Sequence, residues 1–203
     1  MPGLEDSRLY LITDARDGLT LLLERAIAGG VDVVQIREKA LPDSLLLPRL
    51  EAAREVTARY GVPFIVNDRP DLACLVGADF VHVGQDDLPV EAARTFAIAV
   101  GQSTHAEAEI ACTTADYIGV GPVFATPTKQ GRAPVGLALV QHAAKSARCP
   151  WFAIGGIDLD TIDTVLEAGA KRVAVVRAIA ESSEPESAAR ALCSRIERFG
   201  DAA

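Results

Sequence analysis

Nowhere does the sequence hold the roughly 20 continuous apolar residues that a membrane span needs. Its start, Met-Pro-Gly-Leu-Glu-Asp, lacks the basic residues and apolar run of a signal peptide. Positive charge is scarce, and 20 Lys and Arg against 28 Asp and Glu leave a formal net charge of −8. Nucleic acid and anionic membranes both reward basic surfaces, so neither is an expected partner. An acidic protein that binds anions must therefore gather its few cations in one place. The four cysteines, Cys74, Cys112, Cys149 and Cys193, form no Cys-x-x-Cys pair. That argues against a metal cluster or disulfide framework and for buried free thiols in a reducing cytoplasm. Linkers and low-complexity segments are also missing, so one domain spanning residues 1–203 is expected.

What is present is alternation. Short apolar, β-branched runs fall at Leu9–Thr13, Val33–Arg37, Pro63–Val66, Phe80–Val83, Ile98–Gly101, Tyr117–Val120, Trp151–Ile154 and Arg172–Val176, with helix-like segments between them. Their near-uniform apolarity is that of parallel strands buried on both faces. Pro42-Asp43-Ser44 opens a helix that Gly61 stops, and Asp158 caps the one carrying Ile162, Val165 and Leu166. A last helix follows Ser182-Ser183-Glu184-Pro185 and aligns Leu192, Ile196 and Phe199. The joints Gly30-Val31-Asp32, Gly77-Ala78-Asp79 and Thr114-Ala115-Asp116 form a weak repeat before the even-numbered strands, which Gly169-Ala170-Lys171 resembles before the eighth. Eight βα units in 203 residues average about 25 each, enough for a strand, a helix and two tight loops. The rival is a doubly wound open sheet, but no Gly-x-Gly-x-x-Gly follows the first strand. The expected fold is α/β, a single-domain (β/α)8 TIM barrel.

Seven of the eight strands run into a polar or glycine-rich cluster at their C-terminal end, the face on which such barrels build active sites. Gln35, Arg37 and Lys39 alternate along an extended segment, with Ile36 and Glu38 on its other side. An amide and two cations in line suit a polyphosphate, a reading favoured over a solvated strand end. Asp68 and Asp87 end neighbouring strands and could share a hard cation, as two carboxylates with substrate phosphates commonly hold Mg2+. Gly155-Gly156 precedes a helix and exposes bare N–H groups to an anion, with Val176-Arg177 as the second half of a phosphate site between the last two loops. The loop from Val123 to Pro134 is long for this fold and carries Thr126, Thr128, Lys129 and Arg132, which fits a lid. His105 lacks triad partners, His82 reads as a hydrogen-bonded core histidine, and Trp151 as packing.

In this order, Gln-x-Arg-Glu-Lys, Asn-Asp-Arg, His-x-Gly-Gln-x-Asp, Ser-Thr-His, Gly-Pro-Val-Phe-x-Thr-x-Thr-Lys and Ile-Gly-Gly-Ile resemble the thiamine phosphate synthase family. The likeness runs from Leu9 to Ile179. It implies a transferase that joins an aminopyrimidine methyl diphosphate to a thiazole phosphate, giving thiamine phosphate and pyrophosphate. The family's dissociative substitution needs no protein nucleophile, and none is apparent. By the same resemblance Gln35, Ile36, Arg37, Glu38, Lys39, Asn67, Ser103 and Lys129 would surround the pyrimidine diphosphate. Of these, Arg37, Lys39, Ser103 and Lys129 would carry catalysis. Asp68 and Asp87 would hold Mg2+. Thr126, Pro127, Thr128, Gly156, Val176 and Arg177 would take the thiazole phosphate, although many family members have Ser where this chain has Arg177. The alternatives are a thiazole tautomerase on the same barrel, a sugar-phosphate epimerase and a non-enzymatic phosphate sensor. A tautomerase would have no use for the diphosphate strip. An epimerase of the metal-dependent kind wants several strand-end histidines, which His82, His105 and His142 do not supply. Oligomeric state, a homo-oligomer included, is left open by the sequence.

Overall fold

Eight strands close into a parallel barrel in the order β1 to β8 in the computed structural model, which describes residues 3–126 and 133–200. The strands are β1 (Leu9–Thr13), β2 (Val33–Ile36), β3 (Phe64–Asn67), β4 (Phe80–Val83), β5 (Ala99–Thr104), β6 (Tyr117–Val120), β7 (Trp151–Ile154) and β8 (Val173–Val175). Between them run α1 (Leu19–Ala28), α2 (Asp43–Tyr60), α3 (Pro70–Leu75), α4 (Val90–Arg94), α5 (Glu107–Cys112), α6 (Gly136–Ser146) and α7 (Ile162–Glu167). Two more helices, α8 (Arg177–Ala180) and α9 (Pro185–Gly200), follow β8. The barrel expected from the alternation is the barrel found. Among the described residues no helix is long and apolar enough to cross a membrane.

Side chains that alternate along each strand divide the apolar residues into two cores. Leu9, Leu11, Val34, Ile36, Phe64, Val66, Val81, Val100, Ile118 and Ala153 face outward and pack under the helices. Tyr10, Ile12, Val33, Ile65, Phe80, Tyr117, Phe152 and Ala174 fill the barrel. Both faces are thus removed from water, which is why the strands read as continuous apolar runs. Trp151 joins the outer layer, as its packing role required.

Strand ends differ from the sequence expectation in one informative place. β5 runs on to Thr104, three residues past Gly101, because Gln102, Ser103 and Thr104 pair with Val83 of β4 and with Gly119 and Val120 of β6. The Thr104 hydroxyl donates to the Gly119 carbonyl at 3.1 Å. Ser103 faces the cavity, whereas Gln102 and Thr104 point outward and are satisfied by Thr113 and the Gly119 carbonyl. Helix signals fared well: α2 ends at Gly61 with φ 69°, a left-handed stop that a Cβ would oppose. Asp158 works one turn ahead of α7, its Oδ1 accepting from the Asp160 and Thr161 N–H groups at 3.1 Å.

The repeated joint has a structural purpose. Asp79 Oδ2 accepts the Phe64 N–H at 2.8 Å, and Asp116 Oδ2 accepts the Val100 N–H at 2.7 Å. Asp32 accepts from Arg8 N at 2.7 Å and Leu9 N at 3.0 Å. Each aspartate entering an even strand therefore ties off the first N–H groups of the odd strand before it, at the face opposite the active rim. The joint before β8 carries Lys171 and lacks that acceptor.

Burial of Asp32 outweighs its hydrogen bonds and pushes its pKa up to about 6. The unfolded chain releases this proton near pH 3.9, so between about pH 4 and 6 the folded state holds more protons. Stability should consequently fall as pH rises across that window, by about 2 kcal/mol from this residue. Urea midpoints from pH 4 to 7.5 test this. Asp32→Asn should show a shallower decline than the parent, and equal slopes would refute the assignment.

Candidate active site

At the C-terminal ends of the strands a cavity of about 330 Å³ opens into the barrel. Its wall includes Arg37, Ser103, Thr126, Gly156, Val176 and Arg177, six of the residues expected from the sequence. Tyr10, Ile12, His82, His105, Phe152 and Ile154 also line it, and none of these was among the site residues expected from sequence. Their signal was the inward phase of each strand, which a run of apolar residues on both faces conceals.

Arg37 extends the interior phase of Gln35 by two residues, and its N–H continues the ladder by donating to the Thr13 carbonyl at 2.8 Å. The strip expected from Gln35 to Lys39 is divided among three tasks. Gln35 is buried and donates through Nε2 to the Tyr10 hydroxyl. Arg37 faces the cavity. Lys39 lies beside it, its Nζ 2.8 Å from Asp68 Oδ2. The two intervening residues point elsewhere. Ile36 is buried in the outer core. Glu38 folds its carboxylate back onto the loop, accepting from Lys39 N, Ala40 N and Leu41 N at 2.9, 2.8 and 3.3 Å, and from Ala15 N at 3.4 Å. Partial burial works to raise the Glu38 pKa, but these donors outweigh it and hold the pKa below the ordinary value.

Next to Arg37, the ends of β3 and β4 bring two carboxylates together. Asp68 has φ 63°, an uncommon conformation for a residue with a Cβ, and its N–H donates to the His82 carbonyl at 2.8 Å. Asp87 Oδ2 accepts the Gly84 N–H at 2.8 Å. Burial raises the Asp68 pKa, Lys39 opposes that, and the hydrogen-bonded Asp87 carboxyl adds to it. Asn67, just before, is 7% exposed, and its Nδ2 has no hydrogen-bond partner among the described residues. A buried donor in that state can be completed by a ligand atom or by an ordered water. Arg69, by contrast, is a clamp on the outside, reaching Asp43 at 2.7 Å and Asp71 at 2.6 Å to tie β3 to the start of α2.

The opposite side of the cavity is built from backbone. Gly155 and Gly156 have φ 104° and 67°, and a Cβ on either would lie 2.5 Å from Pro122 Cα or 2.7 Å from Phe124 Cβ. His105, held through Nδ1 on the Gly121 carbonyl, closes this wall. Val176 and Arg177 meet it from the start of α8. Pro127, Thr128 and Lys129 lie outside the described residues.

Among the described residues no group of three or more His, Cys, Asp and Glu side chains is placed to hold a metal. The Asp68–Asp87 pair fits the other way a protein holds Mg2+, through two carboxylates and the oxygens of a bound phosphate.

A (β/α)8 barrel with cations, paired carboxylates and a glycine-lined wall at its catalytic rim defines an enzyme for phosphate-bearing small molecules. Residues 9–179 match the family model for thiamine monophosphate synthase. The chain is 52% identical over 199 residues to the thiamine-phosphate synthase of Thermus thermophilus, covering 93% of this chain and 97% of that protein. It is 48% identical over 204 residues to the thiamine-phosphate synthase of Streptomyces avermitilis, covering 95% of each. Among solved structures, the thiamine phosphate pyrophosphorylase of Pyrococcus furiosus superposes with a TM-score of 0.87 at 31% identity, over 95% of this chain and 96% of that one. The chain belongs to the thiamine monophosphate synthase family, enzymes of thiamine biosynthesis.

Proposed function

We propose that this chain, as one (β/α)8 domain, condenses an aminopyrimidine methyl diphosphate with a thiazole phosphate, releasing pyrophosphate and forming thiamine phosphate. The observation that carries the reading is the contact of Lys39, Asp68 and Asp87 at the ends of the strands next to Arg37, which itself faces a cavity of about 330 Å³. A diphosphate leaving group needs its charge met where the bond breaks, and low-dielectric surroundings make each cation there worth more than in water. Arg37 and Lys39 supply two such charges, and the family resemblance adds Lys129. Asp68 and Asp87 would hold Mg2+, which when bound would neutralise further charge on the diphosphate.

The aromatic half of the first substrate suits the interior. Tyr10, Phe152 and Ile154 give apolar walls, and Ser103 offers a hydroxyl to ring substituents. Pyrophosphate would leave towards Arg37 and Lys39, and the thiazole would approach from the wall of Gly156, Val176 and Thr126. Excluding water there protects the reactive pyrimidine cation from capture. A tautomerase would have no use for Asp68 paired with both Lys39 and Asp87. The direct test mixes both substrates with Mg2+ and follows thiamine phosphate and pyrophosphate. Their absence with well-folded protein would overturn the reading.

Arg177 stands at the monophosphate end, exposed on the first turn of α8 and lining the cavity. Arg177→Ser should raise KM for thiazole phosphate about tenfold with little change in kcat, the pattern for binding lost equally in ground and transition states. A collapse of kcat at constant KM would assign this residue to bond breaking instead.

A further inference from the structure

At the catalytic rim the loop after β1 is fastened to the neighbours on both sides. Ala15, 1% exposed, donates its N–H to Glu38 Oε2 at 3.4 Å, and its carbonyl accepts from Arg49 Nη1 of α2. Arg49 Nη2 also donates to Asp17 Oδ1 at 2.9 Å. From this anchored backbone the Arg16 side chain reaches the other way round the barrel. Its Nη1 donates to the Ala180 carbonyl at 2.5 Å, and its Nε donates to Asp14 Oδ1. Because β1 pairs with both β2 and β8, the loop stands between the Gln35–Lys39 strip and the wall of Val176 and Arg177.

What Arg16 grips is the last carbonyl of α8, a helix of four residues and too short to persist on its own hydrogen bonds. The Ala180 N–H closes its turn by donating to the Val176 carbonyl at 3.0 Å. Beyond it the chain bends away. The Ser182 N–H returns to the Ile179 carbonyl at 3.1 Å, and the Glu184 N–H goes to the Ser182 hydroxyl at 3.1 Å. Arg16 thus supplies the donor that a further turn of helix would have given the Ala180 carbonyl, and a cation is favourable at that end. Ala180 joins the two sides. Its carbonyl is held by Arg16, and its N–H holds Val176, which lines the cavity beside Arg177.

We propose that Arg16 is a positioning residue that fixes the turn of α8 and, through it, the place of Val176 and Arg177 against the phosphate of the second substrate. That this substrate is a thiazole phosphate rests on the proposed function; the hold on α8 does not. Arg16 lies outside the cavity lining, so its effect passes through the backbone it holds. Without that hold the turn samples several arrangements, and binding must first select the competent one. A wall that is competent one-tenth of the time weakens apparent affinity about tenfold, and the step that breaks the bond is left alone.

The test is residue-resolved amide hydrogen exchange on the full chain without substrate, comparing the parent with Arg16→Ala. The Ala180 and Glu181 N–H groups, which donate to the Val176 and Arg177 carbonyls, should exchange about tenfold faster, with the barrel strands unchanged. In steady-state assays the same variant should raise KM for thiazole phosphate about tenfold, with kcat and KM for the pyrimidine diphosphate changed by less than about threefold. A merely structural role would not produce that split. Arg16→Gln keeps a donor but loses the charge. It should show the same pattern at smaller size, and it decides the matter if Arg16→Ala does not fold. Unchanged exchange in α8, or faster exchange with both KM values unaltered or raised alike, would overturn the proposal. The exchange is read without substrate, so a parent protein that forms no thiamine phosphate would count against the functional reading and not against the hold of Arg16 on α8.

Discussion

Asp87→Asn should lower turnover by about 10²-fold or more while the barrel stays folded. Asp87 sits in hydrogen-bonding contact with Asp68, and its own Oδ2 is oriented by the Gly84 N–H at 2.8 Å. The asparagine keeps the size and one acceptor, so the loop from β4 should hold its shape. What it loses is a negative charge at the point where a divalent ion and a diphosphate would meet, a term that matters most where water is scarce. Lys39, left facing Asp68 alone, would pair with it more tightly and so be drawn from the leaving group. Turnover measured against Mg2+ concentration separates these effects. The variant should need more metal for half-maximal rate, and full activity in excess chelator would remove the metal from the scheme. An unaltered metal requirement at reduced turnover would place Asp87 outside the ion's coordination.

Gly156→Ala should cost about 10²-fold in kcat/KM for the thiazole phosphate, with the pyrimidine side much less affected. The position has φ 67°, which an L residue other than glycine adopts only with strain. A Cβ there would also lie 2.7 Å from Phe124 Cβ and 3.0 Å from the Ala125 carbonyl oxygen, so the segment after β6 must shift. That segment leads directly into Thr126, and the bare N–H groups beside Gly156 are the natural holders of a phosphate. The displacement therefore strikes wall and anion site together. Separate titrations of each substrate check the split. Equal losses for both substrates would mean that the rim as a whole has moved.

How much of this could be seen beforehand differs between fold and site. Eight apolar runs separated by helix-length segments were enough for the closed barrel, because buried parallel strands need no alternation to announce themselves. Gly61 and Pro185 marked helix limits through local backbone chemistry alone, while Asp158 holds the turn before α7, whose N-cap is Thr161. The rim clusters held Arg37, Ser103, Thr126, Gly156, Val176 and Arg177, and the structure brings these six to one cavity. Asp68 and Asp87 were legible as strand-end carboxylates, and the fold makes them neighbours.

The rest depended on closure. A strand that is apolar throughout does not say which half of its residues faces the axis, so Tyr10, Tyr117, Phe152 and Ile154 gave no sign of meeting there. Lys39 looked like one of two parallel cations until Glu38 turned the loop and set it on Asp68 at 2.8 Å. Gln35 read as a ligand group from its place in the strip, and only the closed barrel shows that its Nε2 also donates to a tyrosine on the adjacent strand. Sequence order and residue chemistry determine which elements form and which ends carry charge, since those are local matters of periodicity, caps and turns. Which side chain bonds to which across the barrel is set only when eight strands share one axis, because partners such as Tyr10 and Tyr117, 107 residues apart, come within 3.1 Å only there.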